Sequence, residues 1–376
     1  MRKALLILSL FFGELASLFA QHTVQIKVLT LPSYHTQADA VFIAGSFNNW
    51  NPGNKQYQLV PDAKGNYSIS LKLANGRYEY KLTRGNWERG ESVGAAGIDN
   101  RIMEISSDTI ITISVKDWAD HFPKAPRVST ANSHVHIIDT AFFMPQLNRY
   151  RRIWIYLPES YSSSKRKYPV LYMHDGQNVF DALYGFGGEW GVDEALDTLG
   201  PKFGESIVVG IDHGGDKRLN EYSPYDMEKY GKGEGDQYVD FLVKTLQPYI
   251  NKHYRTSRKA ADTYVAGSSM GGLISLYAIL KYPKKFGGAG VFSPAFWIAP
   301  SIKEAIAKRG RKVKGKVYFY AGKLESESMV PDMLNVFQCL HKVSKAKMVS
   351  VIRSEGKHNE PTWQQEFPLF YKWVKQ

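Results

Sequence analysis

The chain has 376 residues, more than one typical core requires, so two domains are the starting expectation. Hydrophobic residues make up 43% and charged residues 22%, the balance of an ordinary soluble globular protein. A single cysteine, Cys339, excludes an internal disulfide and a cysteine-based metal site, and the formal net charge is +12. The lysines and arginines are scattered, apart from Lys165-Arg166-Lys167 and the stretch Lys308 to Lys316. That dispersion reads as a solvated basic surface, so no nucleic-acid partner is expected.

The chain opens with Met1-Arg2-Lys3, then the apolar run Ala4 to Leu10 with Phe11 and Phe12, then Ala16-Ser17-Leu18-Phe19-Ala20-Gln21. A basic start, a short apolar run and a small residue before a polar one make a secretory signal over residues 1–20, cut after Ala20. Loss of Arg2, Lys3 and Glu14 with it leaves +11. The apolar run is too short for a comfortable membrane span and no second one follows, so no stable span is expected after cleavage. The expected location is periplasmic or extracellular.

From residue 22 to 116 the pattern is short strands broken by turns. Val24, Ile26 and Val28 alternate with polar residues; Val41 to Ala44, Tyr78 to Leu82 and Ile110 to Val115 are further strands. Asn51-Pro52-Gly53, Asp62-Ala63-Lys64-Gly65 and Asn75-Gly76 supply turns. The segment predicts a small immunoglobulin-like β-sandwich. Residues 117–133, with Pro123 and Pro126, read as a linker. Over 134–376 the rhythm changes. Apolar runs at 153–157, 170–173, 207–211, 263–266, 290–292, 317–320 and 349–352 are too short for helices, and helical segments such as 238–250, 272–280 and 331–343 separate several of them. Strands alternating with helices predict a mainly parallel sheet with helices on both faces, the α/β-hydrolase class. Cys339 falls in the last of those helices as a small core residue. Chemistry in such sheets sits at the carboxyl ends of the strands.

The pattern G-x-S-x-G occurs twice. Gly90-Glu91-Ser92-Val93-Gly94 has no apolar strand before it and no helical pattern after it, and reads as a coincidence in a sandwich loop. Gly267-Ser268-Ser269-Met270-Gly271 follows the strand Thr263 to Ala266 and leads into an apolar helix, as a nucleophile elbow requires. A serine hydroxyl needs a base, and the chain order in this fold is serine, acid, histidine. His358 is the histidine that follows the last strand. The acid should follow the strand Val317 to Tyr320, where Glu325 stands first, Glu327 second and Asp332 a remote third. A tetrahedral intermediate needs two backbone donors: the amide of Met270, and that of Gln177 or Gly176 in the loop after Val170 to Met173. His174 and Asp175 have no spaced partner set, so neither a metal site nor a cofactor is expected.

Residues 150–376 resemble the esterase family that includes carbohydrate esterase family 1 (feruloyl and acetylxylan esterases), enterochelin esterases and S-formylglutathione hydrolases. Besides the second elbow, the matching stretches are Tyr172 to Asn178, Arg218 to Pro224, Ser293-Pro294-Ala295-Phe296-Trp297 and the surroundings of His358. The resemblance implies Ser269 and His358 as triad members and Asp175 and Trp297 at the substrate. It puts Glu325 at the acid position, where aspartate is more usual. Residues 36–105 resemble starch- and glycogen-binding modules through Ala44 to Pro52, Tyr78 to Leu82, Trp87-Glu88 and Asn100-Arg101. That resemblance implies sugar stacking on Trp50 and Trp87 with hydrogen bonds from Lys81 and Asn100, or a packing role beside the catalytic domain. Three functions follow: an exported serine esterase removing feruloyl or acetyl groups from polysaccharides or oligosaccharides, a siderophore esterase, and a glycan-binding protein with a spent hydrolase fold. The expected partner of the first two is an ester-bearing carbohydrate or a small-molecule ester.

Overall fold

A computed structural model describes residues 21–376 apart from 49, 95, 123–126, 186 and 229, and apart from the side chains of 96 and 97. The leader expected over 1–20 lies outside the described residues. The chain forms two compact units that divide between residues 126 and 127.

The first unit is strand-rich: β1 (Gln21–Thr30), β2 (Val41–Gly45), β3 (Gln58–Pro61), β4 (Tyr67–Ala74), β5 (Gly76–Thr83), β6 (Glu91–Val93), β7 (Ala96–Gly97), β8 (Arg101–Ile105), β9 (Thr109–Ser114) and β10 (Asp117–Trp118). Seven of them pair in the order β8-β5-β2-β3-β4-β1-β9. Short β3 pairs with β2 through Leu59 and with β4 through Val60, so it joins two sets of strands. Inward residues of both sets pool in one core: Val24, Ile26 and Val28 from β1 meet Ile43, Leu82 and Met103. The alternation that marked β1 in the sequence is this one-sided burial. Within the stretch expected as a linker, Asp117 and Trp118 pair with Ser92 and Glu91, and Trp118 is fully buried. A ring of that size is stabilised inside a core, which draws this end of the stretch into the first unit.

The second unit holds an eight-stranded sheet of β11 (Val135–Met144), β12 (Arg149–Tyr156), β13 (Val170–His174), β14 (Ile207–Ile211), β15 (Thr263–Ser268), β16 (Gly288–Phe292), β17 (Lys316–Gly322) and β18 (Lys347–Arg353), in the order β11-β12-β14-β13-β15-β16-β17-β18. β12 runs antiparallel to its neighbours; from β14 onward the pairing is parallel. The helices are α1 (Val192–Phe203), α2 (Arg218–Tyr222), α3 (Gly235–Phe241), α4 (Gln247–His253), α5 (Met270–Lys281), α6 (Ile302–Arg309), α7 (Met329–Val343) and α8 (Glu360–Lys375). Strand residues alternate between two cores: Val170 and Tyr172 face one that includes α5, α6 and α7, while Leu171 and Met173 face one that includes α1 and α8. Both faces are therefore covered, which is why these strands read as unbroken apolar runs.

After β13 the chain adds β14 on one side of it and β15 on the other. The carboxyl end of β13 is thus a switch point of the sheet, where a crevice opens. α5 is buried along its length from Met270 to Leu280, as a helix apolar on every side must be, and ends before Pro283.

Candidate active site

Five non-glycine residues have positive φ among the described residues: Trp50, Asn148, Asp175, Ser269 and Ser293. Three of them, Asp175, Ser269 and Ser293, directly follow β13, β15 and β16 or end the run that does, so backbone strain gathers at one end of the sheet. Ser269 takes φ 57°, ψ −120° between β15 and α5. Its N–H donates to Phe292 O (2.9 Å) and its carbonyl accepts from Ala295 N–H (3.1 Å), which ties the turn to the segment after β16. A Cβ on Gly267 would stand 3.0 Å from the backbone of Gly271, so the sharp turn requires glycine there.

Glu325 lies in the loop after β17. Its Oε2 is 2.7 Å from Nδ1 of His358, and its Oε1 accepts from Ser293 Oγ (2.7 Å) and from Gly322 N–H (2.6 Å). The glutamate side chain is 1% exposed and that of His358 37%, so a buried carboxylate holds an accessible imidazole. With its proton kept on Nδ1, such a ring offers Nε2 as a proton acceptor. Of the three acids weighed from the sequence, Glu325 is the one whose carboxylate meets His358; Glu327 is exposed, and Asp332 sits in the first turn of α7.

The amides of Met270 and Gln177 meet no acceptor among the described residues. Met270 opens α5, where the helix dipole favours negative charge. Gly176 is packed so closely that a Cβ would lie 2.7 Å from the backbone of Gly210 and Ile211. The Gln177 side chain accepts from His213 N–H (3.2 Å).

Asp175, expected at the substrate, is paired with an arginine. Its two carboxylate oxygens receive Arg218 Nε (2.7 Å) and Nη2 (2.9 Å) in a fork. Burial works to raise the pKa of Asp175, but the charge and hydrogen bonds of Arg218 outweigh it and hold the carboxyl below its usual range. His174, fully buried with Nδ1 2.9 Å from Tyr238 Oη, is pushed down to about 4 by burial and stays neutral. Trp297 is 59% exposed, in the short helical turn after Ser293.

Four neighbours carried no assigned role in the sequence reading. Arg218 and Ser293 lie inside stretches that matched the family, which was the available signal. Trp363 and Glu360, on α8, had none. Trp363 Nε1 donates to Ser293 Oγ (2.9 Å), and its ring meets the His358 ring edge to face at 5.1 Å. Glu360 accepts from Asn178 Nδ2 (3.0 Å), and burial pushes its carboxyl above the usual range.

In the first unit, Trp50 and Trp87 stand with ring centroids 6.1 Å apart and planes inclined by 46°. Lys81 is half-buried on β5, and Asn100 Nδ2 donates to Glu79 Oε2 (3.0 Å). Ser92 of the first G-x-S-x-G lies on strand β6, not in a loop as expected, and is buried with no partner for its Oγ among the described residues. The pairing of β6 with β10 supplies that strand, an interaction too distant for a local pattern to show.

The sheet order and the strained turn after β15 define a hydrolase of the α/β type. The chain belongs to the family described as "Putative esterase", whose model matches residues 145–371. It is 27% identical over 208 residues to the uncharacterized protein YbbA of Bacillus subtilis (strain 168), across 52% of this chain and 79% of that protein. Among solved structures it is similar to a ferulic acid esterase, with TM-score 0.52 and 19% identity over 65% of this chain and 98% of that one. It is also similar to the enterobactin esterase FES from Shigella flexneri, solved in the presence of enterobactin, with TM-score 0.56 and 15% identity over 94% of this chain and 92% of that one. Among the described residues no helix is long and apolar enough to cross a membrane.

Proposed function

We propose that the protein is a serine carboxylic-ester hydrolase working through an acyl-enzyme, with Ser269 as nucleophile, His358 as general base and acid, and Glu325 as the group that orients it. The observation that carries this reading is the 2.7 Å pairing of Glu325 with His358, on a fold that presents Ser269 in a strained strand-to-helix turn. Ser269 Oγ attacks the ester carbonyl carbon while His358 Nε2 takes its proton. The amides of Met270 and of Gln177 or Gly176 donate to the oxygen that becomes negative. Collapse breaks the carbon–oxygen bond to the alcohol, which leaves with the proton from His358. Water then repeats the sequence and releases the acid.

The substrate class favoured is a feruloyl or acetyl ester of a polysaccharide or oligosaccharide. The tilted tryptophan pair of the first unit, the leader-like N-terminus and the likeness to a ferulic acid esterase support it. Export to the periplasm or the exterior belongs to the same reading. A siderophore esterase is the second reading: the likeness to the enterobactin esterase spans nearly the whole chain, and a net charge of +12 suits an anionic catecholate. Turnover by purified protein on methyl ferulate, acetylated xylan and a catecholate triester separates the two. Activity on none of the three, with Ser269→Ala indistinguishable from wild type on simple esters, would leave the glycan-binding alternative.

A further inference from the structure

The stretch Ser293 to Trp297 marks the family resemblance, yet none of the catalytic steps above uses its first residue. Ser293 is fully buried, directly after β16, with φ 43°. Indole Nε1–H can only donate, so the 2.9 Å contact from Trp363 makes Ser293 Oγ an acceptor and turns its own proton elsewhere. The partner in reach is Glu325 Oε1, at 2.7 Å. Direction is therefore fixed along the whole path: Trp363 donates to Ser293, Ser293 donates to Glu325, and Glu325 accepts a hydrogen bond from His358 Nδ1–H. With Gly322 N–H on the same oxygen, Oε1 holds two donors and Oε2 is left to the imidazole. The indole ring returns to the imidazole edge-on at 5.1 Å and closes the circuit. The residues on either side of the same turn also grip the nucleophile: Phe292 O accepts the Ser269 amide and the Ala295 amide donates to Ser269 O.

We propose that Ser293 and Trp363 are positioning residues for the reaction: they lock the Glu325 carboxylate in the one orientation that keeps the His358 proton on Nδ1, and the Ser293 turn registers Ser269 against that pair. This rests on the esterase reading of Ser269, Glu325 and His358. The strained serine joins three elements through its hydroxyl, β16, the loop after β17 and α8, beside the bond from Ser293 N–H to Tyr320 O (2.7 Å).

The test is a double-mutant cycle on a small ester, p-nitrophenyl acetate, with folding of each variant checked by its thermal midpoint. Ser293→Ala should lower kcat about ten- to a hundredfold with KM within about threefold. In a Glu325→Gln background the same change should alter kcat by less than about threefold, because its effect passes through Glu325. Trp363→Phe, which removes the donor and keeps an aromatic ring, should follow the same pattern with a smaller loss, and replaces Ser293→Ala in the cycle if that variant does not fold. A full, multiplying loss in both backgrounds, or wild-type kcat in the single variant, overturns the relay. Two-bond proton–nitrogen NMR of His358 gives a readout independent of turnover: the Nδ1–H tautomer should dominate in wild type and lose population in Ser293→Ala. An unchanged tautomer overturns the relay even if the protein cleaves esters. Retention of wild-type turnover by Ser269→Ala would instead refute the esterase reading and leave the tautomer result to stand alone.

Discussion

Replacing Glu325 with glutamine tests the site most directly, because the structure dictates how the amide must sit. Glu325 Oε1 receives two donors, Ser293 Oγ and Gly322 N–H, at 2.7 and 2.6 Å. Only the amide oxygen of a glutamine can take that place, since its NH2 would oppose both. The NH2 then points at His358 Nδ1, where the carboxylate oxygen stood at 2.7 Å. A donor facing Nδ1 makes that nitrogen the acceptor and moves the ring proton to Nε2, which can no longer take the Ser269 proton. The corresponding wrong tautomer in a related triad lowers turnover about four decades, or about 5.5 kcal/mol of barrier. Because the His358 side chain is 37% exposed, hydration and ring rotation recover part of this, so the expected loss in kcat is at least about two decades, near 2.7 kcal/mol. Steady-state hydrolysis of p-nitrophenyl acetate reads it, with the thermal midpoint confirming the fold. Glu327→Gln should stay close to wild type. A Glu325→Gln enzyme within tenfold of wild type, or a larger loss at Glu327, would refute the reasoning.

Ser269→Ala should abolish ester hydrolysis and leave the thermal midpoint nearly unchanged, whereas Ser92→Ala should leave the rate as it was, since its buried hydroxyl has no partner among the described residues. Arg218→Met should destabilise the fold by about 2–3 kcal/mol by leaving the buried Asp175 carboxylate unpaired, read by chemical denaturation. Because the folded Asp175 is held below its usual range, the stability this pair contributes in wild type is full above the ordinary carboxyl range of about pH 4 and is lost as pH falls below it through the lowered folded value; in Arg218→Met that decline should vanish, and a wild-type acid limb in the variant would show that the pair does not set it. Trp87→Ala should weaken retention on starch several-fold, about 1 kcal/mol for one stacked ring, and leave small-ester turnover unaltered. Planes inclined by 46° follow a curved glucan better than a flat ribbon, so an effect on xylan alone would count against a stacking pair.

The parallel strands were legible in the sequence because burial on both faces makes each an unbroken apolar run. Ile207–Ile211 matches the expected 207–211, and β15, β16 and β17 extend their expected cores by one or two residues at an end. Those extra residues, Ser268, Gly322 and Lys316 among them, are polar or small and carry no apolar signal. Edges read less well. β11 has largely exposed side chains apart from Phe142 and Met144, and its strand partner among the described residues is β12, a partnership no local window displays. The short β6 and β10 of the first unit depend on each other in the same way.

At the site, legibility followed chain locality. The elbow is five consecutive residues with a strand before and a helix after, and so could be read from one stretch. His358 and Glu325 could be ranked by order along the chain because the fold returns to the same sheet end after each strand. What could not be ranked is the set of groups whose function is to face one another from distant segments. Ser293 and Trp363 are separated by 70 positions and meet through one hydrogen bond; Arg218 and Asp175 are separated by 43. Asp175 shows the consequence. The family resemblance sets its carboxylate at the substrate and says nothing of its partner. Only the arginine delivered by α2 turns it into a satisfied, buried half of an ion pair, and the same logic makes Ser293 a link in the acid's support instead of one more small residue in a turn. Substrate-facing groups are then those that the interior has left unpartnered. Among the described residues the backbone amides of Met270 and Gln177 meet no acceptor, and in the proposed reaction they are the groups left for the substrate; their chemistry is the same whatever side chain the sequence writes there.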